Sequence, residues 1–141
     1  DIDNLIRAKG AIFSGCQTLL DEVGLGIGDI DQLILAGGFG SYVDLEKAMT
    51  IGLLPEMDPE QITYIGNGSL MGARMSSLTN RIRQDVSEVT KKMTNFELSD
   101  TPSYMDNYVA ALFLPHTDMN QFPRLKSRLE ARKKLKLKIE D

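Results

Sequence analysis

The segment LILAGGFGSYVDLEKAM joins a short apolar run to a glycine turn and then to a helical pattern. Residues 33–36 are apolar without interruption, which predicts a strand that is covered on both faces. Three glycines follow this strand: Gly37, Gly38 and Gly40. Glycine has no side chain to keep another molecule away from the backbone, and Ser41 with Asp44 predicts a helix start whose free N–H groups point into the turn. The segment therefore predicts an α/β protein that binds a ligand at the carboxyl end of this strand.

The rest of the chain alternates helical and strand patterns. The spacing of apolar residues predicts a helix over residues 3–23 with one buried face, formed by Leu5, Ile6, Ile12, Phe13, Cys16, Leu19, Leu20 and Val23. Shorter helices are predicted over residues 42–51, 67–78, 81–93 and 102–114. Two more strands are predicted in the segments QITYIG and NFELS. This order predicts an α/β fold in which helices pack on a small parallel or mixed sheet.

Two of the shorter helices carry faces suited to packing. On the first, small residues recur every fourth position and predict a flat face for a neighbouring backbone: Gly68, Gly72 and Ser76. On the second, an apolar side is predicted to be buried: Ile82, Val86, Val89 and Met93.

The charge of the chain is divided unevenly. Residues 124–141 hold eight of the 16 basic residues and three of the 20 acidic ones, so this tail carries +5 and the remainder −9. An acidic body with a basic tail is not typical of a nucleic-acid-binding protein. We expect the tail to be a frayed, solvated terminus, the alternative being contact with an anionic partner or a membrane surface.

Neither a membrane span nor a secretory signal is visible in the sequence. The single cysteine, Cys16, excludes an internal disulfide and predicts a reducing, cytoplasmic compartment, with the thiol inert in the core. Because the sequence starts almost directly in a helical pattern, we expect it to be a fragment of a larger domain.

Two common nucleotide motifs do not fit the glycine turn. A dinucleotide fingerprint needs a third glycine where Val43 stands, so a nicotinamide-dependent reductase is disfavoured. A phosphate-binding P-loop needs a Gly-Lys-Ser/Thr sequence, which the chain lacks.

A different pattern accounts for several segments together. LILAGGFGSYVDLEKAM followed by GNGSLMGARMSSL resembles the adenosine motif of the actin, sugar-kinase and heat-shock-chaperone ATPases, and NLIRAKGAIFSG resembles the chaperone helix that lies against the adenosine. The resemblance implies a ribonuclease-H-like, actin-like ATPase subdomain. The residues that it places at the nucleotide are Gly37, Gly38, Phe39, Gly40 and Ser41 on one side, Gly66 and Asn67 on the other edge, and Lys9 near the ribose or adenine.

The resemblance can be narrowed to one family. DIDNLIRAKGAIFSG, LAGGFGSYVDLEKAMTIGLLP, YIGNGSLMGARMSSL and FELSDTPSYMDNYVAALFLPH together resemble the C-terminal ATPase region of reductive activators of corrinoid proteins. That family couples a ferredoxin-like iron–sulfur domain to an actin-like ATPase domain, and it uses ATP to drive an electron onto cobalt, restoring Co(I) in a corrinoid methyltransferase protein. The resemblance covers residues 1–123 and leaves residues 124–141 outside as a basic tail.

The same resemblance implies what this chain lacks. The phosphate loops, the acidic residue that positions Mg²⁺ and the cysteines of the iron–sulfur cluster are all expected upstream. We therefore assign no catalytic residue and no metal ligand here, and expect ATP with Mg²⁺ and the cluster to belong to the parent protein. The parent is expected to be an ATP-dependent reductase, and this fragment alone to be inactive.

Other interpretations of the same residues remain open. The fold could serve as a non-catalytic module that docks a corrinoid protein or forms a homodimer. The glycine pair could simply allow a tight turn, Phe39 could belong to the core, and Lys9 could be a surface cation. The only histidine, His116, is expected to be satisfied by local hydrogen bonds in a turn and not to transfer protons.

Overall fold

The computed structural model describes residues 1–38 and 40–140. It contains six α-helices in this region: α1 (Ile2–Glu22), α2 (Leu45–Thr50), α3 (Gly68–Leu78), α4 (Asn80–Thr90), α5 (Pro102–Ala111) and α6 (Pro123–Glu140). Two strands, β1 (Leu33–Leu35) and β2 (Ile62–Tyr64), form a parallel pair, and five short 3₁₀ turns connect the elements. No helix of the described residues combines the length and apolar character needed to cross a bilayer.

The chain divides into two compact units. The helical unit comprises residues 1–30, 44–58 and 98–141, and therefore holds α1, α2, α5 and α6. The strand unit comprises residues 31–43 and 59–97, and holds both strands with α3 and α4. The predicted α/β class is confirmed, with a sheet that is small and parallel.

The core of the helical unit forms where α1, α5 and α6 meet. Its buried side chains are Phe13, Ala111, Phe122 and Leu125. At Gly10 a Cβ atom would lie only 3.2 Å from the Leu112 side chain, so a small residue is needed there for the close packing of α1 and α5.

Helix α1 spans almost the predicted residues but does not bury the predicted face. Its buried residues are Lys9, Gly10, Phe13, Ser14, Gly15 and Thr18. Most of the apolar side chains expected inside are exposed instead: Leu5, Ile12, Cys16, Leu19 and Val23. The expected core position of the Cys16 thiol is therefore wrong. The cause is that α5 packs against the small residues of α1, which allow the closer approach of the two backbones.

Helix α6 forms in the tail that the charge pattern predicts to be frayed. The Glu56 carboxylate accepts hydrogen bonds from the backbone N–H groups of Arg124 (2.7 Å) and Leu125 (2.9 Å), in the first turn of the helix. These two N–H groups have no partner within a helix, so a carboxylate from elsewhere in the fold stabilises this end. The first turn of the tail is therefore capped by a residue 68 positions away, while the fraying of its far end stays a prediction.

The strand unit lacks the predicted third strand. The segment NFELS has no strand structure, and a 3₁₀ turn begins at Leu98. This prediction is wrong because no partner strand lies beside the segment among the described residues. The expected cover on both faces of β1 is wrong as well, since Ile34 is 55% exposed.

Helices α3 and α4 form where predicted, with Asn67 and Thr79 capping their first turns. The predicted apolar side is nevertheless largely exposed: Val86 and Val89 on α4, and Met93 three residues beyond its end. These side chains line an open groove of about 590 Å³ between α3 and α4, together with Gly68, Gly72 and Ser76. The predicted flat face on α3 thus borders the groove, and the predicted burial of α4 is not found in this chain.

Candidate nucleotide site at the ends of the parallel strands

The parallel register brings the two predicted glycine segments to one edge of the sheet. Leu35 pairs with Tyr64 at the carboxyl ends of the strands, and the Ile65 N–H donates to the Leu35 carbonyl at 3.0 Å. One step further, the Gly37 N–H donates to the Gly66 carbonyl at 2.6 Å. The turn after β1 and the turn after β2 therefore touch, as the predicted site requires.

The backbone of this edge uses conformations that favour glycine. Gly37 has φ +93° and Gly66 has φ +63°, both in the left-handed region that side chains rarely adopt. A Cβ atom added at Gly37, Gly38 or Gly66 would meet no other atom within 4 Å. The glycines thus leave open space above the backbone, into which a ligand can come close.

Gly40 has a different surrounding from the other glycines of the turn. It is buried, and a Cβ there would lie 3.3 Å from the Leu35 Cβ. The Tyr64 hydroxyl donates to the Val43 carbonyl at 2.8 Å and so ties the end of the turn to β2. Sequence reasoning did not single out Tyr64, whose only signal was an aromatic residue at the end of a predicted strand.

On the other side of the edge, Asn67 works as a helix cap. Its side-chain oxygen accepts a hydrogen bond from the Leu70 N–H at 3.0 Å in the first turn of α3. The Gly68 N–H donates to the Gly66 carbonyl at 3.0 Å. The first turn of α3 is therefore held beside the glycine edge, where the N-terminal end of a helix favours anionic groups.

Two predicted site residues can be placed only in part. Phe39 lies outside the described residues, and Ser41 belongs to the 3₁₀ turn Gly40–Tyr42. The predicted helix start at Ser41 is wrong, because α2 begins at Leu45 with Asp44 as its cap. The Asp44 carboxylate accepts from the Lys47 N–H at 3.1 Å, so the acidic residue takes the role expected of the serine.

Lys9 lies in the helical unit, fully buried in α1. Its ammonium donates hydrogen bonds to the backbone carbonyls of Phe113 and, at 2.7 Å, of Pro115. Burial lowers the pKa of Lys9 from 10.5 to about 8. The surface-cation alternative is therefore wrong, while the contact of Lys9 with a nucleotide stays a prediction.

His116 is satisfied locally, as predicted. Its Nδ1 accepts a hydrogen bond from the Asp118 N–H at 3.0 Å, and its ring lies 5.4 Å from the Phe13 ring. Burial lowers the pKa of His116 below 6.5, and the charge of Lys9 lowers it further. Within the described part of the chain, no three His, Cys, Asp or Glu side chains are grouped so that they could hold a metal ion.

Comparisons with known proteins agree with this fold. The family model described as the C-terminal domain of RACo, the ASKHA domain, matches residues 1–126. The chain is 31% identical over 109 residues to the corrinoid activation enzyme RamQ of Eubacterium limosum, covering 77% of the chain and 18% of that protein. It is 35% identical over 94 residues to the Co(II) methylated amine-specific corrinoid protein reductase of Methanosarcina barkeri, covering 67% of the chain and 17% of the relative.

A solved structure gives the same result. The chain superposes on a reductive activator for corrinoid, iron–sulfur protein with a TM-score of 0.80 and 49% identity, covering 87% of the chain and 20% of that structure. The chain thus spans about a fifth of the length of these relatives. With the family match over most of its residues, the chain belongs to the family of RACo C-terminal domains, the ASKHA domain.

Proposed function

We propose that this chain is the nucleotide-binding part of an ATP-dependent activator that returns the cobalt of a corrinoid methyltransferase protein from Co(II) to Co(I). The observation that carries the proposal is the glycine edge, where the hydrogen bond between Gly37 and Gly66 joins two open turns. The names of the relatives support a corrinoid protein as the partner. In this proposal the parent protein is cytoplasmic and ferredoxin-linked.

The residues of this edge suit a nucleotide better than a metal. Open space at Gly37, Gly38 and Gly66 gives a flat ligand access to the backbone, and the N–H groups of α3 lie beside it. We propose that Gly37, Gly38 and Gly66 contact the nucleotide directly, with Asn67 holding the start of α3. The predicted contacts of Phe39 and Ser41 remain part of this proposal, and Gly40 contributes by packing against β1.

The other cofactors of the proposed reaction belong, in this proposal, to the rest of the parent protein. The described residues hold no group of three or more His, Cys, Asp or Glu side chains that could hold a metal ion, and a single cysteine cannot by itself hold an iron–sulfur cluster. The proposed division of labour therefore leaves phosphate and metal chemistry, and the electron carrier, to the rest of the parent protein. This chain binds and orients the adenosine end of ATP.

The test replaces Gly38 with valine in the full-length protein. Because a Cβ at Gly38 meets open space, the variant should fold, but its branched side chain fills the place where the nucleotide approaches. ATP at a hundred times its dissociation constant stabilises a protein by about 2.7 kcal/mol, which a thermal melt detects. We expect this ATP-dependent shift in wild type and its loss in Gly38→Val.

Gly28→Val is the matched control, since Gly28 also has open space around its Cβ position and lies in the other unit. It should keep the wild-type ATP shift. Wild-type ATP affinity in folded Gly38→Val would remove Gly38 from the site.

A second function, a non-catalytic docking module, is favoured by the apolar groove between α3 and α4. The same titration separates the two functions. A full-length protein that binds the corrinoid protein but shows no thermal shift with ATP or ADP would support the module and contradict our main proposal.

A further inference from the structure

Lys9 is fully buried among the described residues, which is unusual for a side chain that carries a charge. Buried lysines are normally paired with a carboxylate, since an uncompensated ammonium is costly in the interior. Burial lowers the pKa of Lys9, and no ion pair of Lys9 with a carboxylate is found among the described residues. The carbonyl oxygens of Phe113 and Pro115 are the acceptors of its ammonium.

Both acceptors lie just after the end of α5, 104 and 106 residues away from Lys9 in the sequence. Because α5 ends at Ala111, no following turn of helix donates N–H groups to the carbonyl groups of this segment. A cation is a favoured hydrogen-bond donor near the C-terminal end of a helix. The ammonium of α1 therefore supplies the hydrogen bonds that this connecting segment cannot make for itself.

The same segment is confined from a second side by Gly52. This glycine has φ +75°, and a Cβ there would overlap the Pro115 carbonyl oxygen. Residues 113–116 thus lie between α1 and the turn after α2. Pro115 and His116 are buried by this arrangement, whereas Phe113 and Leu114 are 56% and 60% exposed.

We propose that Lys9 is a positioning residue whose buried ammonium fixes the backbone of residues 113–115 and so sets the course of the chain from α5 into α6. This role needs no nucleotide and goes beyond the proposed function. It also gives Lys9 a task that differs from the adenosine contact implied by the family resemblance.

The test compares Lys9→Met with Lys47→Met in the full-length protein. Methionine keeps the length and apolar stem of the side chain but leaves the two carbonyl groups without a donor, whereas Lys47 lies at the surface and is a control for the lost charge. We expect amide hydrogen exchange in residues 112–118 to accelerate about tenfold or more in Lys9→Met, with ATP affinity changed less than twofold. Lys47→Met should leave both unchanged.

Gly52→Ala perturbs the same segment from the opposite side. Gly52→Ala should accelerate amide hydrogen exchange over the same residues as Lys9→Met does, again without lowering the affinity for ATP. Unchanged exchange at residues 112–118 in Lys9→Met, with an ATP affinity lowered tenfold, would overturn the proposal and make Lys9 a nucleotide contact.

A measurement on the wild-type protein covers the case in which Lys9→Met does not fold. An amine-reactive acylating reagent should modify Lys47 readily and leave Lys9 unmodified, with or without ATP. Ready modification of Lys9 that ATP prevents would overturn the proposal as well. Neither result would affect the test of the glycine edge, which rests on Gly38.

Discussion

At the scale of single residues, Gly37 and Gly38 are adjacent but differ in backbone conformation. Gly37 has φ +93°, where any side chain is strained, while Gly38 lies outside that region with open space around it. We expect Gly37→Ala to lower the free energy of unfolding by about 1–3 kcal/mol and Gly38→Ala to leave it within about 1 kcal/mol. Urea denaturation of both variants measures this difference, and equal losses would show that the turn differs from the one described.

Lys9 gives a prediction about pH. Its pKa is about 8 in the folded protein and near 10.5 when exposed, so between these values the unfolded chain binds more protons than the folded one. The free energy of unfolding therefore rises with pH across this window. Denaturation of wild type and Lys9→Met from pH 7.5 to 10 should show wild type gaining stability relative to the variant. A constant difference would mean that Lys9 is not buried as a cation.

The local structure of several candidate residues follows from their neighbours in the sequence. Asn67 caps the helix that immediately follows it, and Gly37 and Gly66 sit at strand ends where a turn needs their freedom. The core position of Cys16 and the surface-cation alternative for Lys9 were wrong because the choice of buried face on α1 depends on α5, about 90 residues later. Periodicity reveals that a helix has two faces, but not which neighbour covers either of them.

At the scale of elements, α6 shows why a basic tail could not be interpreted from its own sequence. Its first turn is held by Glu56, and further ion pairs join Arg128 to Glu46 (3.0 Å) and Arg124 to Asp58 (3.7 Å). All three carboxylates belong to residues 46–58. The sequence of α6 alone therefore cannot predict the contacts that hold this helix. The NFELS segment is the converse case, since it forms no strand in the described part of the chain despite its strand propensity.

Glu56 provides the test at this scale. Replacing Glu56 with alanine removes the charged acceptor of two hydrogen bonds that N–H groups of α6 donate. We expect the free energy of unfolding to fall by about 1–2 kcal/mol. The helical signal in far-ultraviolet circular dichroism should fall as the first turns of α6 fray. Glu130→Ala, an exposed acidic position on α6 itself, serves as the control. Equal stability of the two variants would contradict the anchoring role of Glu56.

At the scale of the whole molecule, the sequence predicts the α/β class and a parallel or mixed sheet but overstates the number of strands, since the described residues form two. The parallel pairing of β1 and β2 is enough to bring the two glycine turns together. The candidate site therefore does not depend on a third strand. Exposed apolar side chains give a physical reason for the homodimer that the sequence leaves open.

These side chains form two surfaces, one on each unit. The α1 surface consists of Leu5, Ile12, Leu19 and Val23, and the α4 surface consists of Val86, Val89 and Met93. Proteins that stay monomeric seldom leave large apolar patches bare, because association removes such surface from water. We therefore expect the 141-residue chain, expressed alone, to self-associate as its concentration rises.

Light scattering over a wide dilution series measures this association, and substitutions identify the surface responsible. Leu19→Lys on α1 and Val89→Lys on α4 each place a charge on one apolar surface at a position already exposed, so folding should be preserved. We expect at least one of them to shift the mass toward that of a monomer. Leu25→Lys, at an exposed position outside both helices, should not. A monomeric mass of the wild-type chain at every concentration would contradict the prediction. It would show that both apolar surfaces stay exposed to solvent without causing association.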